Sequence, residues 1–222
     1  MKFGIVTALY ERPDGQTLPL FNRMISSVLV QTYQDFKVFV IGDDYKESFP
    51  NYGSKVVYEN VKGISEREKY RGKNLWCCGG VNAQNYGLKK AISEGFDYLI
   101  LLDYDDFWSG NHLKSFADLH DFAWACSLST HLADDNFLPK DPASEMLPKP
   151  SGVIKSACCW KHSKIPLLLR NVFEETGKVR PSDSDFWERC RNFMLKKKLN
   201  GYCTRKVSCF HETTQYVVKG LK

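Results

Sequence analysis

The segment Tyr98-Leu99-Ile100-Leu101-Leu102-Asp103-Tyr104-Asp105-Asp106-Phe107-Trp108 decides how the rest of the chain is read. Its first five residues form an unbroken apolar run, which fits a short strand buried on both faces in the middle of a parallel sheet. Three carboxylates, Asp103, Asp105 and Asp106, follow at once. A carboxylate cluster at the end of a buried strand needs donors, a metal or water, because burying it unpaired is costly. In open α/β sheets the crevice beyond the carboxyl ends of the strands is also where ligands bind. Asp103 and Asp105 point to the same side if the strand continues, so they can converge on one divalent cation, and oxygen ligands suit Mg²⁺ or Mn²⁺. The other reading of the same residues is an acidic turn that caps a helix beginning near Gly110, since Asp favours turns and caps.

Composition bounds the rest. A chain of 222 residues can bury a sizeable core and points to one domain, with room for a small appended lobe. With 43% hydrophobic and 26% charged residues it reads as an ordinary globular protein. No apolar run approaches the roughly 18 to 20 residues that cross a bilayer. Met1 to Tyr10 reads as a first strand and not as a signal peptide, for lack of an apolar h-region and a cleavage site. The eight cysteines include the adjacent pairs Cys77-Cys78 and Cys158-Cys159 but no C-x-x-C, which argues against zinc ribbons and redox motifs. Reduced, mostly buried thiols are expected, with a Cys203–Cys209 disulfide left open by the sequence. The net charge of +5 is mildly basic. Its one compact basic run, Lys196-Lys197-Lys198, falls where a helix should end and complements the helix dipole, so nucleic acid is not an expected partner. Attraction to an anionic ligand or a membrane surface stays open.

Taken in order, Phe3 to Leu9 reads as the first strand, Leu18 to Gln31 as an amphipathic helix, and Phe36 to Ile41 as a second buried strand ending in Gly42-Asp43-Asp44. So compact a βαβ unit implies a parallel pair whose ends open to the same edge. Lys55 to Glu59 is a third short strand, and the polar stretch Asn60 to Asn74 a loop with room for one helical turn. A helix follows from about Val81 to Glu94, with Asn85 on its buried stripe, where an amide must bond either a neighbouring backbone or a ligand. Gly79-Gly80 fits neither the dinucleotide-binding nor the P-loop pattern. After the acidic strand end, Leu113, Phe116, Ala117 and His120 mark a helix, with His120 read as a satisfied core histidine, and Phe122 to Leu128 reads as a strand. The Pro- and Asp-rich stretch Ser129 to Ser151 reads as a binding loop or lid. Gly152 to Trp160 is expected as a strand, Lys164 to Asn171 as a short helix, Ser182 to about Leu195 as an amphipathic helix, and Tyr202 to Phe210 as the final strand, delivering His211. Ser182 with Asp185 three residues later imitates a capping box, which gives the helix-opening Asp residues a structural reading beside any chemical one.

Three ordered stretches carry a resemblance. Ser27-Val28-Leu29-Val30-Gln31-Thr32-Tyr33-Gln34-Asp35-Phe36-Lys37-Val38, then Asp43-Asp44, is similar to a Gln-Thr-Tyr-x-Asp-Phe link into a strand that ends in paired Asp. Gly80-Val81-Asn82-Ala83-Gln84-Asn85-Tyr86-Gly87-Leu88 is similar to a Gly followed by an Ala-Arg-Asn-x-Gly-Leu helix, and Asp103-Tyr104-Asp105-Asp106 to a D-x-D signature. Together these resemble the family 2-like glycosyltransferases of GT-A fold, over residues 3 to about 110. The resemblance implies an α/β fold of GT-A type: a single domain with a Rossmann-like, mostly parallel central sheet flanked by helices. Residues 1–110 would bind a nucleotide-diphosphate sugar, most commonly a UDP-sugar, and residues 111–222 the acceptor. It implies that Thr7, Tyr10, Asp43, Asn85 and Asp103 contact the nucleotide sugar. It further implies that Asp105, with Asp103 and His211, holds Mn²⁺ or Mg²⁺ at the diphosphate, where a cation stabilises the developing charge of the leaving group.

Beyond residue 110 the match thins. Inverting members of that family place an Asp or Glu at the start of a late helix as the base that deprotonates the acceptor hydroxyl. Asp185 is the first candidate and Asp183 the second, because Asp-x-Asp-Phe before an amphipathic helix resembles that site. Tyr45-Lys46 after the paired Asp, and Gln84 where an arginine is common, depart from the family pattern. With no Gln-x-x-Arg-Trp motif and no membrane segment, the chain looks more like small soluble bacterial or virus-encoded transferases than a processive synthase, which implies a cytoplasmic location, in the host cytoplasm for a viral protein. The acceptor would be a glycan, glycoprotein or glycolipid. A catalytically silent nucleotide-sugar-binding module of the same fold is the alternative. A dehalogenase-type phosphatase is set aside because its D-x-D belongs at the end of the first strand, which here is Thr7-Ala8-Leu9-Tyr10. A sugar nucleotidyltransferase is set aside for want of a Gly-rich loop after that strand.

Overall fold

The computed structural model describes residues 1–132 and 136–212. Its first unit is the expected βαβ: β1 (Phe3–Leu9), α1 (Thr17–Leu29) and β2 (Phe36–Asp43), the strands pairing in parallel from Phe3 opposite Phe36 to Leu9 opposite Gly42. β3 (Val56–Val61) extends the parallel sheet beyond β2, and β4 (Tyr98–Leu101) joins the other side of β1. Between β3 and β4 run α2 (Glu66–Lys69), α3 (Gly72–Cys78) and α4 (Val81–Ser93). The later half supplies β5 (Phe107–Trp108), α5 (His112–Ala117), β6 (Trp124–His131), β7 (Phe137–Leu138), β8 (Cys158–Lys161), α6 (Val172–Thr176), α7 (Ser182–Lys197) and β9 (Gly201–His211). They complete one mixed, mostly parallel sheet in the order β3-β2-β1-β4-β8-β6-β9-β5, with β7 on β6. This is the α/β fold expected from the sequence.

Alternation along the central strands explains their continuous apolar reading. Phe3, Ile5 and Leu9 of β1, with Tyr98 and Ile100 of β4, enter one core beneath α1 and α5. Val6, Leu99 and Leu101 enter a second core, shared with Val81 and Leu88 of α4 and Phe186, Trp187 and Met194 of α7. Both faces of the sheet are covered, so both sets of alternating positions must be apolar. Gly87 lets α4 lie against the sheet: a Cβ there would meet Val6 Cγ1 at 2.5 Å and Ile41 Cγ1 at 2.9 Å.

Several expectations change. The strand read over Gly152 to Trp160 is irregular to Ile154, forms a 3-10 turn at Lys155–Ala157 and only then becomes β8. Ser156 explains this: its hydroxyl accepts the Asp103 N–H at 3.0 Å and its carbonyl accepts from Trp108 Nε1 at 2.9 Å, which ties the turn to the acidic loop in place of a ladder. The short helix expected over Lys164 to Asn171 is absent. Pro166 has no N–H to give, and Asn85 holds the Leu169 backbone at both its N–H (3.1 Å) and its carbonyl (2.9 Å); the helix starts later, at Val172, capped by Asn171. The polar stretch Asn60 to Asn74, read as a loop with room for one helical turn, holds that turn as α2 and in addition the start of α3. His120 is exposed at a positive φ of 59° past the end of α5, and the core histidine is His112, stacked on Trp108 and bonded to Ser208 Oγ at 2.8 Å. The stretch expected as a loop over Ser129 to Ser151 includes the end of β6 and all of β7, and its residues 133–135 lie outside the described residues. All eight cysteines are buried and none is bonded to another.

Candidate active site

The C-terminal ends of β1 and β4 open into a cleft that α2 and α3 border. Two adjoining cavities, of about 280 and 470 Å³, share Trp76, Gly79, Gln84, Asp103, Lys155 and His211. The smaller adds Asp183; the larger adds Tyr10, Arg67 and Asp105.

The acidic segment is a tight turn, not a continued strand: β4 stops at Leu101 and the Asp106 N–H bonds back to the Asp103 carbonyl at 3.1 Å. Asp103 pairs with Lys155 Nζ at 2.7 Å. Burial pulls the lysine downward, but Asp103 and then Asp183 outweigh it, so the ammonium is held above its ordinary value. Asp105 is pushed up to about 7, first by burial and then by Asp106 and Asp103. Arg12 Nη1 stands 3.7 Å from it, and Arg23 binds its backbone carbonyl at 2.6 Å. Asp106 is fully buried and accepts His211 Nδ1 at 2.8 Å and the Glu212 N–H at 3.1 Å, while its Oδ2 has no partner. Burial lowers His211, yet Asp106, Asp103 and Asp105 together raise it to about 9. The site is a knot of negative charge partly answered by Lys155, Arg12 and His211.

On the opposite flank, Tyr10 packs edge-on to Tyr104, and the Arg67 guanidinium lies 3.2 Å from the centre of the Tyr10 ring. Arg67 Nε is also 3.5 Å from Asp43, whose two carboxylate oxygens are buried and make no hydrogen bond. Burial raises Asp43 above the usual carboxylate range, against the pull of Ser65 and Arg67. Thr7 bonds the Leu102 carbonyl at 2.9 Å, so it braces the strand ends from beneath the cleft. Glu66 caps α4, accepting the N–H groups of Gly80 at 3.2 Å and Asn82 at 2.8 Å, and burial raises it to about 7.

The two late carboxylates separate. Asp183 borders the cavity that also holds Asp103 and Lys155. Asp185 is 1% exposed and bound by Arg170 Nη2 and Arg189 Nε, both at 2.7 Å; burial would raise it, but these arginines hold it below its ordinary value. The capping box does not form: Pro181 takes the cap position, Ser182 Oγ has no partner, and Asp183 accepts the Ser184 N–H. Asn85 makes the backbone bonds to Leu169 described above and borders neither cavity. The structure thus gathers Tyr10, Asp103, Asp105, Asp183 and His211 around one cleft, sets Asp43 behind Arg67, and leaves Thr7, Asn85 and Asp185 in supporting bonds.

Sequence reading passes over Lys155, Arg67 and Trp76. A Lys-Ser pair interrupting the apolar run up to Trp160 is a signal for Lys155; Arg67 lies in a polar stretch with no motif, and Trp76 just beyond it in Leu75-Trp76-Cys77-Cys78. For a cation, no three His, Cys, Asp or Glu side chains converge on one point among the described residues. The donor set nevertheless fits a metal that takes part of its shell from a ligand: crowded Asp105, an imidazole whose Nδ1 is tied to Asp106, and an unpartnered Asp106 oxygen beside them. Mg²⁺-type sites commonly use one or two carboxylates with substrate phosphates completing the shell.

The chain is 33% identical to the uncharacterized glycosyltransferase R139 of Acanthamoeba polyphaga mimivirus, over 96% of this chain and 94% of that protein. It is 23% identical to the succinoglycan biosynthesis protein ExoW of Rhizobium meliloti (strain 1021), over 78% of this chain and 57% of that one. Among solved structures, S. aureus TarS 1-349 in complex with UDP-GlcNAc superposes with a TM-score of 0.65 at 13% identity, covering 96% of this chain. The chain spans 58% of that TarS fragment, so the likeness concerns the shared fold. No helix of the described residues is long and apolar enough to cross a membrane. With its profile matched from residue 5 to residue 211, ending on the histidine that meets the acidic turn, the chain belongs to glycosyl transferase family 2.

Proposed function

We propose that this glycosyltransferase moves a sugar from a UDP-sugar to a hydroxyl acceptor with inversion, and that Asp183 is the base. The observation that carries this reading is that one cavity is bordered both by Asp103 of the acidic turn and by Asp183 at the start of α7. The nucleobase end is assigned to Tyr10, Arg67 and Asp43, where a buried carboxylate without a hydrogen bond faces a guanidinium. The diphosphate end is assigned to Asp103, Asp105, Lys155 and His211. UDP-GlcNAc binding by TarS, which shares the fold, supports UDP as the carrier. Residues 1–110 thus serve mainly the donor and residues 111–222 the acceptor, although Lys155 and His211 return to the donor side.

The Asp183 carboxylate takes the proton of the acceptor hydroxyl, whose oxygen attacks the anomeric carbon. The bond from that carbon to the diphosphate breaks, and the nucleotide leaves with the electron pair. Asp183 suits the role because it faces the cavity and holds only the adjacent Ser184 N–H, whereas both oxygens of Asp185 are engaged by arginine. Lys155, poised between Asp103 and Asp183, supplies positive charge beside the departing diphosphate. Asp105 and His211, with Asp103 beside them, would hold Mn²⁺ or Mg²⁺, which when bound adds further charge stabilisation to the leaving group.

The test is transfer from radiolabelled UDP-sugars to a panel of hydroxyl acceptors, with Mn²⁺ or chelator, by wild type and Asp183→Asn. Transfer by the wild type that falls at least a hundredfold in Asp183→Asn supports the reading. Nucleotide binding without turnover on any acceptor would instead make the chain a silent binding module.

A further inference from the structure

The smaller cavity holds groups that the transfer step leaves unused. Trp76 on α3 is 71% exposed, while Trp108, Trp124, Trp160 and Trp187, the other tryptophans of the chain, are at most 3% exposed. A single exposed apolar side chain is ordinary on a protein surface. This one stands where the two cavities meet, and it borders the smaller one together with Asp103, Lys155 and Asp183. Its helix is anchored: Cys77 and Cys78 beside it are buried, and the preceding Tyr70 packs edge-on against Phe173 and donates its hydroxyl to Glu174 at 2.7 Å. Those contacts fasten the platform to α6, on the segment that leads to Asp183.

Two polar groups of the same cavity point to what fits there. Ser182 is 4% exposed and its hydroxyl has no partner; Gln84 is 6% exposed and also borders the cavity. Val153, Ile154 and Pro181 supply apolar wall. An indole face, an unpaired buried hydroxyl and an amide beside a carboxylate base match a ligand with an apolar C–H face and a rim of hydroxyls. A lipid tail would leave Ser182, Gln84 and Asp183 unpaired, and an extended peptide would have no use for the flat indole.

Resting on the assignment of Asp183 as base, we propose that the acceptor is a saccharide whose ring packs on Trp76 while a ring hydroxyl bonds Ser182. Trp76 is a specificity-determining residue for the acceptor, and the transferred sugar extends an existing glycan.

Because the other four tryptophans are buried, quenching of tryptophan emission by acrylamide reports on Trp76. The experiment adds methyl glycosides and short oligosaccharides of glucose, galactose and N-acetylglucosamine to the full chain saturated with UDP and Mn²⁺. A serine-threonine peptide and dodecyl phosphate are the comparison arms. The expected result is at least a twofold fall in the quenching constant with one saccharide series and none in the comparison arms. In transfer assays, Trp76→Ala should raise the acceptor KM at least tenfold, by more than it weakens UDP, with kcat changed less than twofold, and Trp76→Phe should restore the KM to within threefold. Protection by peptide or dodecyl phosphate in place of saccharide overturns the proposal, as does an unchanged acceptor KM in Trp76→Ala. A chain that binds no UDP fails the functional reading itself; a chain that binds UDP and transfers sugar while saccharides leave Trp76 unprotected fails this inference alone.

Discussion

Asp183 and Asp185 are two residues apart, yet substituting each should produce opposite phenotypes. In Asp185→Asn, the charge that accepts Arg170 Nε at 2.9 Å, Arg170 Nη2 at 2.7 Å and Arg189 Nε at 2.7 Å is removed from a site that is 1% exposed. Breaking a fully buried pair costs about 3 to 5 kcal/mol. Here the arginine side chains are 36% and 25% exposed and can turn to water, so the cost should be about 2 to 3 kcal/mol. That corresponds to a fall in Tm of roughly 5 to 10 °C for a chain of this size. Asp183→Asn removes a carboxylate that borders the cleft and should change stability by no more than about 0.5 kcal/mol, while transfer falls by about two to four orders of magnitude. Urea unfolding at 25 °C gives the first quantity, and transfer at 15 °C, where both variants stay folded, gives the second. If Asp185→Asn keeps its stability and loses transfer as completely as Asp183→Asn, the assignment of the two roles is refuted.

Other expectations follow from the fold. His112 is fully buried, and burial lowers it to about 3. Its folded value lies below the unfolded value of about 6.5, so protons favour the unfolded chain and stability falls as pH drops from 6.5 towards 3, by about 2 kcal/mol at pH 5. The stability difference between wild type and His112→Gln should therefore shift by that amount between pH 7 and pH 5; a constant difference contradicts the argument. Gly87→Ala places a Cβ 2.5 Å from Val6 Cγ1, and should destabilise by about 1 to 2 kcal/mol in denaturant titrations despite the gain in helix propensity. A more stable Gly87→Ala would mean that α4 can lift from the sheet freely.

Much of the donor half is legible in the sequence because its constraints are local. A buried parallel strand must be apolar on both faces, which is why Phe3 to Leu9, Phe36 to Ile41 and Tyr98 to Leu102 stand out, and Gly87 is required by one close approach of α4. The later half depends on side chains reaching across the chain. Ser156 captures the acidic turn and prevents a strand at Lys155, while Asn85 captures Leu169 and prevents a helix there. Asp185 is the base that the family resemblance implies; its bonds to two arginines, one of them 15 residues away, are not legible in one dimension. Trp76 carries no signal at all in one dimension, since only the folded chain shows it exposed and bordering a cavity.

Every role proposed for the cleft at the ends of β1 and β4 requires that it hold a nucleotide-diphosphate sugar through the acidic turn. The most direct measurement is isothermal titration of UDP and UDP-sugars into wild type and Asp105→Asn, with Mn²⁺ or with chelator. The expected result is binding to the wild type that weakens at least tenfold in chelator and in Asp105→Asn. Absence of binding by any nucleotide, or equal binding by wild type and Asp105→Asn under both conditions, would contradict the account.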